Sequence, residues 1–204
     1  MKKIIYTFFV FSILLSSCVQ DVDDVFDEPS SVRVEKALAE YQALLKSAEY
    51  GWAMEYYPSS TQAYGGYLFT MKFKDGDQVT VSTDAFEEAE KEVTSLYSLK
   101  KDIGPTLNFD TYNELFHHFS DPDIIDGGGK GKGYEGDYEF IFRSHTDNEI
   151  ILRGKKTNNV IKMTRLTEPP MTLLDKTVKL SKETFTTTYT ANIGGKTFIV
   201  PMED

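Results

Sequence analysis

From Trp52 onward the chain alternates, and this alternation limits the fold more than any other feature. Tyr67, Phe69, Met71 and Phe73 interleave with Leu68, Thr70 and Lys72. A period of two puts one set of side chains on one face of a β-strand and the other set on the opposite face. Trp52–Tyr57 is a strand that stops at Pro58, and a polar stretch to Ala63 follows it. Asp75-Gly76 is hairpin-turn chemistry, and Gln78–Ser82 is the return strand. Thr94–Lys100 and Thr106–Phe109 flank Gly104-Pro105. Within Asp137–Ser144, Tyr138, Phe140 and Phe142 alternate with Glu139 and Arg143, and Ile141 breaks the pattern. Asp147-Asn148 and Asn158-Asn159 turn the chain into Glu149–Arg153 and Val160–Leu166. About eight short strands with short connections predict antiparallel pairing between sequence neighbours.

A different period precedes them. Val34, Leu38, Tyr41, Leu45 and Ala48 recur at spacings of four and three, which predicts an amphipathic helix over 31–50. Ser30 or Ser31 would cap it after Pro29, and Gly51 would stop it. Tyr112–Phe119 reads as a second, short helix capped by Asp110 or Thr111. The expected class is α+β: an N-terminal amphipathic helix with a curved, mainly antiparallel β-meander packed on it or wrapped around it. Closure into a lipocalin-like barrel is left open. These elements make a domain over 31–166. In 167–204, Pro169-Pro170 reads as linker chemistry, and Leu173–Leu180 fits either helix or strand. Phe185–Ala191 and Lys196–Val200 form a hairpin across Asn192–Gly195. This tail either completes the first sheet or begins a truncated second module.

The N-terminus reads as an address. Lys2 and Lys3 precede the apolar run Ile4–Leu15, a secretory signal pattern over 1–17. That run is too short to span a hydrocarbon core of about 30 Å as a helix. Leu15-Ser16-Ser17-Cys18 resembles a bacterial lipobox, in which small residues admit the peptidase and the cysteine takes the lipid. The chain's single cysteine falls at the position that needs it. The alternatives are an ordinary secretory signal with a stray cysteine and a free buried thiol. Acylation of Cys18, with palmitate among the acyl chains, would anchor the protein to a membrane it does not span. Five of the residues from Asp21 to Glu28 are acidic, which makes 18–30 a solvated tether.

Composition narrows the function classes. The whole chain carries a net charge of −10, and losing residues 1–17 removes two lysines, leaving about −12. A phosphate binder needs a basic stripe, so nucleic acid is not the expected partner. One cysteine and three histidines leave no CxxC site and no histidine-rich cage, so neither metal nor cofactor is expected. His117-His118 with Asp121 and Asp123 is the nearest approach to a metal set, but neighbouring histidines on a helix diverge by about 100°. Haem ligation by His117, His118 or Met163 rests on residue type alone. The glycine run Gly127–Gly133, with Lys130 and Lys132, lacks the phosphate-loop pattern and reads as a loop. Asp110 and Asp137 are the carboxylates that could pair for hydrolysis, but no motif requires it. No catalytic residue is assigned. Among the many aromatics are Trp52, Tyr97, Tyr112, Tyr134 and Tyr138. Tyr56, Tyr57, Tyr64 and Tyr67 are the candidate ligand-binding set, because a long polar loop separates their strands. Their alternative role is core and cross-strand packing.

Three stretches carry a family resemblance. They are Gly51-Trp52 with Tyr56-Tyr57-Pro58; Gly65-Gly66-Tyr67 with Lys72–Gly76; and Gly104–Asn113 with His117-His118, Ser120-Asp121-Pro122 and Gly136–Phe140. Together, over about 31–166, they resemble a family of uncharacterised Bacteroidetes surface lipoproteins. Genes of that family tend to lie beside SusC/SusD-type uptake systems. The acidic tether likewise resembles the export signal of surface lipoproteins in that phylum. The resemblance implies a lipid-anchored outer-membrane protein, displayed at the cell surface or held at the periplasmic face. It would be an accessory to a SusC/SusD-like importer that binds a glycan or peptide. It brings no catalytic residues with it. The remaining expectations are a structural or adhesive lipoprotein, with or without a ligand-filled barrel, and a carboxylate-dependent hydrolase of surface polymers.

Overall fold

The computed structural model describes residues 28–86, 91–124, 128–184 and 188–201. Cys18, the signal segment and most of the acidic tether lie outside these residues, as do Gly127 and part of the acidic stretch Ala85–Val93.

Eight strands follow one another around a closed barrel: β1 (Trp52–Tyr56), β2 (Tyr67–Lys74), β3 (Gln78–Thr83), β4 (Val93–Lys101), β5 (Pro105–Phe109), β6 (Glu139–His145), β7 (Glu149–Gly154) and β8 (Val160–Arg165). Every neighbouring pair is antiparallel. Closure comes from β1, which pairs with β2 through Trp52↔Met71 and with β8 through Trp52↔Arg165. A closed barrel leaves no unpaired edge.

The register keeps one apolar phase around the ring. Met54 stands opposite Phe69 and Met163, Met71 opposite Val81, Tyr97 opposite Phe109, Leu107 opposite Phe140, and Leu152 opposite Ile161. Slipping any strand by one residue would turn its whole apolar set outward. Trp52, Met54, Phe69, Val79, Val81, Leu107, Phe140, Ile150, Leu152 and Met163 have no exposure at all. An eight-stranded barrel is narrow enough for its own side chains to fill it, and this one is filled.

Helix α1 (Ser30–Lys46) precedes the barrel. Of the expected stripe, Tyr41, Leu45 and Ala48 are buried, while Val34 and Leu38 are only half-buried. The sheet does not wrap around this helix, because the strands' own side chains occupy the lumen. The helix instead packs its last turns against the barrel. Tyr41 stacks on Phe142 at 3.8 Å, and the Trp52 indole N–H donates to the Leu45 carbonyl at 3.0 Å. It ends four residues before Tyr50. Gly51 follows at φ +86, where an added Cβ would lie 2.5 Å from the Met71 carbonyl oxygen.

The second helix is shorter than expected: α2 covers Glu114–His117, and a 3-10 turn covers His118–Ser120. Its cap is Asn113, not Asp110 or Thr111. The Asn113 side chain accepts from the Leu115 and Phe116 N–H groups and donates to Val93 O and Ser95 Oγ.

The segment read as a linker is helical: α3 covers Pro170–Thr184, with Pro170 at a first-turn position where its missing N–H costs nothing. Leu174 is fully buried. The hairpin β9 (Thr188–Ile193) and β10 (Lys196–Pro201) pairs only with itself. It does not complete the first sheet, which closes through β1 and β8.

Candidate functional site

Strand direction sorts the connections onto two ends. The turns after β2, β4 and β6, together with the Arg165/Gly51 junction, share the end that α1 covers. The connections 57–66, 84–92, 110–138 and 155–159 share the other, which carries the long loops.

Aromatic rings plug the loop end. Leu115, Phe116 and Phe119, from α2 and the 3-10 turn, are buried there. Phe116 packs on Phe109 at 4.3 Å and on Phe69 at 5.2 Å. Tyr56 belongs to this plug, with Phe69, Phe116 and Phe119 all about 5.5 Å from its ring. Its hydroxyl donates to the Asp137 carbonyl at 3.0 Å, and burial pushes its pKa well above the usual tyrosine value. Tyr56 is therefore a core residue and leaves the candidate binding set. The sequence held that signal, since Trp52, Met54 and Tyr56 are in phase.

The other three candidates lie at the surface of the same end, each half-buried. Tyr67 packs against Phe119 at 4.4 Å, and burial raises its pKa, helped by Tyr134 and Asp84. Tyr64 meets Tyr134 edge-on at 5.2 Å. The Tyr57 ring lies over Gly66, where an added Cβ would come within 2.5 Å of it. Sequence reasoning left three members, Tyr134, His118 and Phe86, out of the candidate set. His118 lies 5.5 Å from Tyr134 and 4.9 Å from Phe86, so His118 and Phe86 continue the aromatic surface. Beside Phe86, a cleft of about 560 Å³ runs between Asp84 and Thr177–Lys182 of α3. Burial raises the Asp84 carboxyl pKa against the pull of the Leu68 N–H at 2.9 Å.

A buried polar frame holds the loops still. The Asp137 carboxylate accepts from the Lys156 N–H at 2.6 Å, from the Thr157 N–H and from Thr157 Oγ1. Asn159 donates to the Tyr57 and Ser59 carbonyls at 2.9 and 2.6 Å. Gly136 allows the chain to pass here, because a Cβ would sit 2.2 Å from the Tyr56 hydroxyl. Asp137 is thus a structural anchor. Asp110 is exposed and paired with Lys100 at 2.6 Å. Some desolvation opposes it, but the hydrogen bond and charge of Lys100 hold its carboxyl below the usual range. Each carboxylate expected to serve hydrolysis is committed to a different local partner.

The two histidines diverge. His117 Nδ1 accepts the Asn113 N–H at 3.1 Å, and burial lowers its pKa. His118 faces Phe86 and Tyr134 instead. No group of three or more metal-ligating side chains occurs among the described residues. Asp121 Oδ1 caps the Asp123 N–H in a turn. Met163 lies in the filled lumen. The glycine run folds back on itself: Gly128 N–H donates to Gly133 O, and Gly131 N–H to Pro122 O. Those donors are spent within the loop, and Lys130 and Lys132 remain exposed.

No curated protein matches this chain, and no solved structure matches it. A family model described as a domain of unknown function, DUF4302, matches residues 22–203 without a break, taking in the barrel, α3 and the final hairpin. The chain belongs to that family.

Proposed function

We propose that the chain is a lipid-anchored cell-surface protein that binds a glycan or peptide without chemical turnover. It would serve as an accessory to a SusC/SusD-like outer-membrane importer. The observation that carries the binding half is the half-exposed patch of Tyr64, Tyr67, Tyr134 and His118 on the loop end. Tyrosine presents an apolar ring and a polar tip, which suits amphipathic ligands such as sugars and peptides. The strand number is that of a lipocalin-like barrel, but the lumen is full, so the ligand is placed on the loop end. The lipobox at Leu15–Cys18 and the acidic tether support the anchored, surface-displayed half.

The test is isothermal titration of the full mature chain in lipid nanodiscs against neutral glycans and short peptides. Binding that falls at least about tenfold in Tyr64→Ala/Tyr134→Ala is expected. Undiminished binding by that variant, or no binding across both panels, would refute the patch. Loss of alkyne-palmitate labelling in Cys18→Ser tests the anchor separately.

A further inference from the structure

We propose a second site at the loop end, a subsite for an uncharged pyranose built on Tyr138. It is independent of the Tyr64/Tyr134 patch. Tyr138 and Tyr112 are 46% and 68% exposed. Both rings pack on the half-buried His117 imidazole in tilted pairs, at 5.6 Å and 30° for Tyr138 and 5.5 Å and 33° for Tyr112. The result is an aromatic cluster in which two exposed tyrosines flank a half-buried imidazole.

It is preorganised. His117 is held by the Asn113 N–H, and Asn113 itself is wholly buried with both ends of its amide bonded. The Tyr138 carbonyl accepts the Phe109 N–H at 3.1 Å. The site therefore pays little ordering cost on binding.

Tyr138 also lines a recess of about 250 Å³ with Glu139, Lys155 and Lys156. Vicinal sugar hydroxyls both donate and accept, and the residues lining this recess with Tyr138 include a glutamate and two lysines. Lys155 already bridges Asp102 and Glu139, at 2.6 and 3.1 Å. That leaves the exposed Lys156 as the donor, while Glu139 keeps acceptor capacity. With Asp137, Glu139 and Asp102 close by, and a strongly acidic chain overall, the recess repels polyanions. Its ligand is a neutral saccharide.

The test is saturation-transfer NMR on the mature chain in nanodiscs with maltotriose, cellotriose, xylotriose and mannotriose. Transfer to ring C–H protons of at least one is expected. In the Tyr64→Ala/Tyr134→Ala background, which removes the other patch, it should persist, fall about fivefold on adding Tyr138→Ala and less on adding Lys156→Ala, and survive Tyr138→Phe. No transfer from any of the four overturns the subsite. So does transfer that survives Tyr138→Ala in that background. Loss in Tyr134→Ala with retention in Tyr138→Ala would assign binding to the other patch and overturn this one.

Discussion

The two ends of the barrel are closed by different means. At the helix end, a separate element is laid on: α1 docks through Tyr41 and Leu45, and its outer contacts are exposed ion pairs such as Lys46–Asp75. At the loop end, the barrel's own connections fold inward. Phe116 and Phe119 fill the mouth, and the buried Asp137, Asn113 and Asn159 fix the backbone. A lid held by a few apolar contacts and one buried hydrogen bond can open locally without unfolding the whole. A plug cross-linked by buried hydrogen bonds cannot, and that end can hold ring faces in fixed positions for a ligand.

The largest effects should come from the packing at each mouth. Phe116→Ala should cost about 3–5 kcal/mol in denaturant unfolding, as expected for a buried aromatic. Leu45→Ala should cost about 2–4 kcal/mol. It should also raise hydrogen exchange in 31–44 while the barrel amides stay protected. Equal loss of protection everywhere would show that the ends are not independent.

Next comes the polar frame. Asp137→Asn leaves at least one of its buried donors unsatisfied and should cost about 2–3 kcal/mol. A cost below about 1 kcal/mol would mean that the frame does not hold the loop end.

A smaller, pH-dependent effect separates the ends further. His117 has a lowered folded pKa, so the folded state binds fewer protons than the unfolded state just below the ordinary histidine value of 6.5. Stability should therefore be intact above that pH and fall as pH drops through it toward the folded pKa. Asp84 has a raised folded pKa, so its contribution is present below the ordinary aspartate value of 3.8 and is lost as pH rises through the folded pKa. His117→Gln should flatten the first slope and leave the second. The smallest effect belongs to the helix-end surface: Gln42→Ala with Lys46→Ala should leave the unfolding midpoint unchanged within error, as exposed pairs contribute little.

The strands were legible because a period of two is a local signal, and Phe69, Met71 and Phe73 announce their face without any partner. Closure was not, since it depends on β1 finding β8 more than a hundred residues away. The Asn113 cap was hidden because Asp110 and Thr111 are equally good caps locally. Asn113 prevails through Val93 O and Ser95 Oγ, which only the fold brings near. Pro169-Pro170 misled for a related reason, since a proline pair stops one element and can also start the next. Of the proposed binding tyrosines, Tyr56 was separable by its phase with Trp52. Phe86 and His118 gave no local sign of meeting at Tyr134.

The most direct measurement is amide shift mapping by NMR, titrating the mature chain with the neutral trisaccharides and with tyrosine-free tripeptides. The account predicts perturbations clustered in 57–68, 110–119 and 133–139. Perturbations centred on 40–50, 75–77 and 146–148, or none with either class of probe, would contradict it.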